Sequence, residues 1–127
     1  MDHMVMILGN ETSQYSGLSG LLEKNGYQSR LTSDLSVLTE TISEKEKPAA
    51  IVLDLDAIPP DNHVFRSFKR NNPGILLLAV SERSFHPDLV ESMERHFFAC
   101  MVKPVDPDEF LFLLKSGCDE NNAMTTR

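Results

Sequence analysis

Four short runs of almost unbroken apolar residues constrain this chain more than any other feature: Val5 to Leu8, Ala49 to Leu53, Ile75 to Val80 and Ala99 to Val102. Each has the length of a β-strand. Continuous apolarity, in place of alternation, is what a strand covered on both faces requires. A weaker segment, Tyr27 to Leu31, is polar enough for the edge of a sheet. Between these segments the apolar residues change to helical spacing. Tyr15, Leu18 and Leu22 share one face of a helix that Asn25-Gly26 would end. Leu35, Leu38 and Ile42 repeat the pattern behind Ser33 or Asp34 as N-cap. Val64, Phe65 and Phe68 mark a third helix, opening near Asp61 and stopping before Asn72-Pro73-Gly74. Leu89, Val90, Met93 and Phe97 mark a fourth, with Pro87 in its first turn. Asp106-Pro107-Asp108-Glu109 then offers an N-cap, a first-turn proline and a capping-box glutamate for a helix carrying Phe110, Leu113 and Leu114.

Strand and helix thus alternate five times with short connections, which predicts parallel strands, right-handed crossovers and a three-layer α/β sandwich. A length of 127 residues suits one such core. The segment 119–127 is polar and without periodicity, and reads as a frayed tail or the stub of a linker to an output domain. A net charge of -7 argues against direct nucleic-acid binding, which needs a basic face. Cys100 and Cys118 match no zinc or redox spacing and suggest no disulfide framework, so a reducing, cytoplasmic setting is the expectation. The opening Met1-Asp2-His3-Met4 does not read as a signal peptide, and no apolar run approaches the length of a membrane span. His3, His63, His86 and His96 have no ligand-like spacing and read as surface or capping residues, and the methionines as core fillers.

In open parallel sheets ligands bind beyond the carboxyl ends of the strands. Those ends carry Gly9-Asn10-Glu11, Asp54-Leu55-Asp56, Ser81-Glu82 and Lys103-Pro104. A carboxylate, a hydroxyl and an ammonium gathered at one rim have the chemistry of phosphoryl transfer: a nucleophile, a donor, and a charge for the transferring oxygens. Taken singly, Asp54 and Ser81 are strand-end residues of the kind that cap turns, and Lys103-Pro104 a strand terminator. Their order in the chain favours the functional reading.

Three segments resemble those of response-regulator receiver domains: Ile51-Val52-Leu53-Asp54-Leu55, Ala79-Val80-Ser81, and Met101-Val102-Lys103-Pro104-Val105-Asp106-Pro107-Asp108-Glu109. The resemblance runs from Val5 to Lys115, the Lys-Pro segment being its most specific part, and places a receiver domain at 4–118. It implies a flavodoxin-like, doubly wound five-stranded sheet in the order 2-1-3-4-5. It further implies a phosphoprotein of two-component signalling, with Asp54 as phosphoacceptor, Ser81 as switch hydroxyl and Lys103 as phosphate contact. The implied partners are a histidine kinase or phosphotransfer protein, an output domain and a second copy of the chain, with no membrane and no nucleic acid. No turnover of a metabolite is expected.

Three departures bear on that reading. Receivers carry an acidic pair after the first strand to hold magnesium, and Gly9-Asn10 stands in that place. Any Mg²⁺ site would therefore be weak or missing, drawing on Asp54, Glu11, Asn10 and Asp56, and carboxylates added at positions 9 and 10 should strengthen it. Cys100 replaces the switch aromatic of the fifth strand, and Ile58 replaces the proline four residues after the phosphoacceptor. These departures favour a second reading, a phosphorylation-independent pseudo-receiver serving as an interaction module. A more distant one comes from Leu53-Asp54-Leu55-Asp56, which resembles the nucleophile motif of haloacid-dehalogenase-type phosphohydrolases, although that motif should open the core sheet.

Overall fold

Each apolar run becomes a strand because it can be covered twice. The structure is a computed structural model that describes residues 3–10, 15–40, 42–43, 45–84 and 86–125, with the side chains of 16 and 120–125 left aside. The order is β1 (His3–Leu8), α1 (Ser16–Lys24), β2 (Tyr27–Thr32), β3 (Ala50–Asp54), α2 (Asn62–Asn71), β4 (Leu76–Ser81), α3 (Val90–Arg95), β5 (Ala99–Val102) and α4 (Pro107–Thr125). All strand pairings are parallel and the sheet order is β2-β1-β3-β4-β5. The polar strand β2 lies at an edge, and the fully buried β3 and β4 lie inside.

Alternation along the strands sorts the core into two halves. Met6, Leu8, Ile51, Leu53, Leu77 and Ala79 pack with Phe65, Phe68 and Phe97 on the side of α2 and α3. Val5, Ile7, Val52, Leu78 and Met101 pack with Tyr15, Leu22, Phe110 and Leu114 on the side of α1 and α4. Gly26 ends α1 with a φ of 85°, in the left-handed region that glycine tolerates best. Among the described residues no helix is long and apolar enough to cross a membrane.

Two elements differ from expectation. The helix predicted from Leu35, Leu38 and Ile42 shrinks to a single 3₁₀ turn at Leu35–Leu38. Asp34 does cap it, accepting from the Ser36 amide. The Ser36 carbonyl then accepts helix-type bonds from the Thr39 and Glu40 amides, and the Thr39 hydroxyl shares that acceptor, a side-chain bond of the kind that competes with helix propagation. Ile42 still packs against the core, from outside any helix. At the other end, α4 continues to Thr125 through the segment expected to fray. After Gly117 that segment holds neither glycine nor proline, so nothing in it stops the helix. His86 also departs from the surface role: it is buried, with Nε2 3.1 Å from the Arg83 carbonyl oxygen.

The short α3 is tied down by polar contacts with α2. The Asn62 Oδ1 accepts from the Ser92 amide at 3.1 Å and from the Ser92 hydroxyl at 2.6 Å, so α2 satisfies a first-turn amide of α3. Arg66 forms a bidentate pair with Glu91 at 2.7 and 2.6 Å, and His96 reaches the same carboxylate. Replacing Asn62 by alanine strands the fully buried Ser92 hydroxyl together with an amide. We expect Asn62→Ala to lower stability by about 1–3 kcal/mol. Urea denaturation should show this as a lower midpoint at unchanged slope.

Candidate functional site

Alternation also dictates where the polar strand ends arrive. Ala50 and Val52 face the α1/α4 half, so Asp54 leaves β3 toward that same side, where α1 begins. Met101 faces that half too, and Lys103 follows it by two residues. The backbone at the rim is tied across strands: the Leu55 amide donates to the Val80 carbonyl and the Lys103 amide to the Ser81 carbonyl, each at 2.9 Å. The Lys103–Pro104 peptide is cis.

The result is an ion triad. Lys103 Nζ lies 3.0 and 3.1 Å from the two Asp54 oxygens and 3.0 Å from Asp56 Oδ2. Asp54 is 1% exposed, so its charge must be matched locally. Besides Lys103 it accepts from the Asp56 amide at 3.0 Å and from the Tyr15 hydroxyl at 2.5 Å. Asp56 in turn accepts from the Glu82 amide at 2.9 Å and from Ser81 Oγ at 3.4 Å, while Ser81 Oγ accepts from the Arg83 amide.

These contacts set the protonation states. Burial pushes the Asp56 carboxyl up, but hydrogen bonds from Lys103, the Glu82 amide and Ser81, with the Lys103 charge, leave it below the usual carboxylate range. Burial pulls the Lys103 ammonium down, and its bonds to Asp54 and Asp56 outweigh that and hold it above its ordinary value. Cys100 is pushed up by burial and by the Asp56 charge, so it stays a neutral thiol.

The residues singled out in the sequence are therefore placed as follows. Asp54, Ser81 and Lys103 meet at one rim, with Lys103 directly on Asp54. Asp56, expected as a weak metal ligand, is a full member of the cluster through Lys103 and the Glu82 amide. Asn10 is exposed beyond β1, and Glu11 lies outside the described residues. Tyr15 was legible only as part of the apolar face of α1. Its ring is indeed buried, at 2% exposure, but its hydroxyl belongs to the site. The available signal was general: a buried tyrosine needs a partner for its hydroxyl.

Among the described residues the set does not fit a resident magnesium ion. That ion prefers several hard oxygens in open, near-octahedral array. Here the Asp54 oxygens are held by Lys103 and Tyr15, an Asp56 oxygen is shared between Lys103 and the Glu82 amide, and Gly9 has no side chain to offer. Among the described residues no group of three or more His, Cys, Asp or Glu side chains is placed to hold a metal.

A five-stranded, doubly wound parallel sheet in the order β2-β1-β3-β4-β5 defines the flavodoxin-like class of α/β proteins, and here it carries an aspartate–lysine pair at its carboxyl rim. Within that class the chain has the receiver-domain fold, as solved structures make plain. A CheY-like response regulator receiver domain protein from Methanospirillum hungatei superposes with a TM-score of 0.79 at 19% identity, over 98% of this chain and 99% of its own. A response regulator from Thermotoga maritima gives 0.74 at 15% identity, over 94% and 99% of the two chains. The signal receiver domain of an HD domain-containing protein from Pseudomonas fluorescens gives 0.77 at 12% identity, over 97% and 99%. No family model and no curated protein matches the sequence.

Two predictions follow from the geometry. Tyr15→Phe keeps the ring and removes a hydrogen bond to a buried carboxylate, which should cost about 1.5–3 kcal/mol in chemical denaturation. Asp56 has a lowered folded-state pKa, so its stabilisation is present above the unfolded value of about 3.9 and is lost as pH falls through the folded one. Lys103 has the opposite sign: its contribution holds below about pH 10.4 and is lost as pH rises through its raised pKa. Stability measured against pH should therefore decline at both limits through this cluster, and Asp56→Asn should flatten the acid limb.

Proposed function

We propose that the chain is a receiver module of two-component signalling that works through association with a protein partner, its Asp54 held in a closed triad independent of magnesium. The observation that carries this reading is the position of Lys103, whose one ammonium is shared between Asp54 and Asp56. The triad keeps a net negative charge of about one, from two carboxylates and one ammonium, and that charge opposes the approach of an anionic phosphoryl donor. Ser81, the hydroxyl that the family resemblance assigns to a phosphoryl oxygen, is hydrogen-bonded to Asp56 and to the Arg83 amide instead.

A second reading has an observation of its own. Asp54, Ser81 and Lys103 do converge, which is the arrangement that accepting phosphate from a histidine kinase or phosphotransfer protein would use. In either case the chain is a signalling domain and not a turnover enzyme, with a kinase, an output domain or a second copy as partner, in the cytoplasm. The haloacid-dehalogenase-like reading loses support, because Asp54 ends the third strand in sequence and not the first.

Intact mass after treatment with acetyl phosphate and magnesium separates the two main readings. We expect no gain in the wild type. A gain of one phosphoryl group that Asp54→Asn abolishes would establish the phosphoacceptor.

The output face generates a further expectation. Cys100 packs against the α2/α3 half where a receiver carries an aromatic switch, and Phe97 is already buried edge-on against Phe65 at 5.0 Å between ring centres. Cys100 itself has no ring to change burial, although Phe98 stands exposed beside it, so two states would differ less in apolar surface at that place and hence in partner affinity. Beryllofluoride should leave sedimentation, and amide exchange across 97–102, unchanged. Large changes that Ser81→Ala removes would show a working switch.

A further inference from the structure

We propose that Tyr15 closes the acidic pocket to divalent cations, its hydroxyl holding an Asp54 oxygen and its ring filling the space that a side chain at position 9 would need. The inference rests on the reading of Asp54 as held in a closed pocket, and it names the residue that does the closing.

Two observations support it. The hydroxyl donates to Asp54 Oδ2 at 2.5 Å from a ring that is 2% exposed, so the contact is sheltered from water. Separately, a Cβ built on Gly9 would stand 3.2 Å from the Tyr15 Cε2 and 3.2 Å from the Asp54 Cβ. Both distances are shorter than ordinary carbon–carbon contact, about 3.5–4.0 Å. Glycine at position 9 and tyrosine at position 15 are therefore complementary: the missing side chain makes room for the ring.

The chemistry follows from the exchange. A cation against Asp54 needs open lone pairs on that carboxylate and further oxygens from the end of β1. Tyr15 engages one of the lone pairs with a neutral donor, and Gly9 provides no oxygen in return. In place of the gain expected from the sequence, adding carboxylates at positions 9 and 10 does not by itself make a metal site, because the first of them must enter against the Tyr15 ring.

Calorimetric titration with magnesium chloride tests this on the full chain. Wild type and Gly9→Asp/Asn10→Asp should both bind weakly, while the same pair combined with Tyr15→Ala should bind at least about tenfold more tightly, a difference of about 1.4 kcal/mol. If the pair alone binds as tightly as the triple variant, Tyr15 is not the obstacle and the inference falls. Since the triple variant loses a buried ring, a second measurement uses the wild type alone. The Tyr15 hydroxyl proton, assigned by its loss in Tyr15→Phe, should appear as a slowly exchanging resonance unmoved by excess magnesium chloride. Its absence from the wild type, or its displacement by magnesium, overturns the proposal. Phosphorylation of the wild type with that resonance unmoved would discard the closed-triad reading while leaving the exclusion of metal by Tyr15 in place.

Discussion

A carboxylate with 1% exposure at the end of a central strand is the costliest group in this molecule, and the surrounding architecture is arranged to offset it. Burial follows from the parallel sheet itself, since helices on both faces leave the rim of β3 little contact with water. Lys103 has to arrive from β5, which requires the strand order to bring β4 and β5 alongside β3. The triad is thus the product of two crossovers, and no local segment could assemble it. Removing Lys103 would leave a buried charge without its cation, a loss far larger than the net worth of the pair.

The parts of the fold that were legible in the sequence are those set by long-range burial. The runs at Val5 to Leu8, Ala49 to Leu53, Ile75 to Val80 and Ala99 to Val102 became β1, β3, β4 and β5 with shifts of a residue or two. Their apolarity has to be continuous because both faces are covered. The segment from Leu35 to Ile42 was misread for a local reason. Its apolar spacing is helical, yet the Thr39 hydroxyl bonds back to the Ser36 carbonyl, and spacing alone does not register that competition. The last helix was misjudged in the opposite sense, since polarity after Cys118 looked like disorder where no residue actually interrupts the helix.

The site was legible in its ionic members and not in its neutral one. Asp54 and Lys103 could be placed because each follows a strand and the topology fixes where strand ends meet. Asp56 was named as a metal ligand and not as a partner of Lys103, because two residues past a strand the chain has turned, and nothing in Asp54-Leu55-Asp56 tells which way. Tyr15 was hidden by its own amphipathic nature. Its ring satisfies the helical pattern so well that the hydroxyl needed no further explanation from sequence.

The fit between Gly9 and Tyr15 couples the two positions. Wherever the ring is in place, any side chain at position 9 has to push against it and against Asp54 at the same time. A side chain at the end of β1 and an aromatic ring at position 15 therefore compete for the same space, so that a change at either position is felt at the other and at the carboxylate both of them touch.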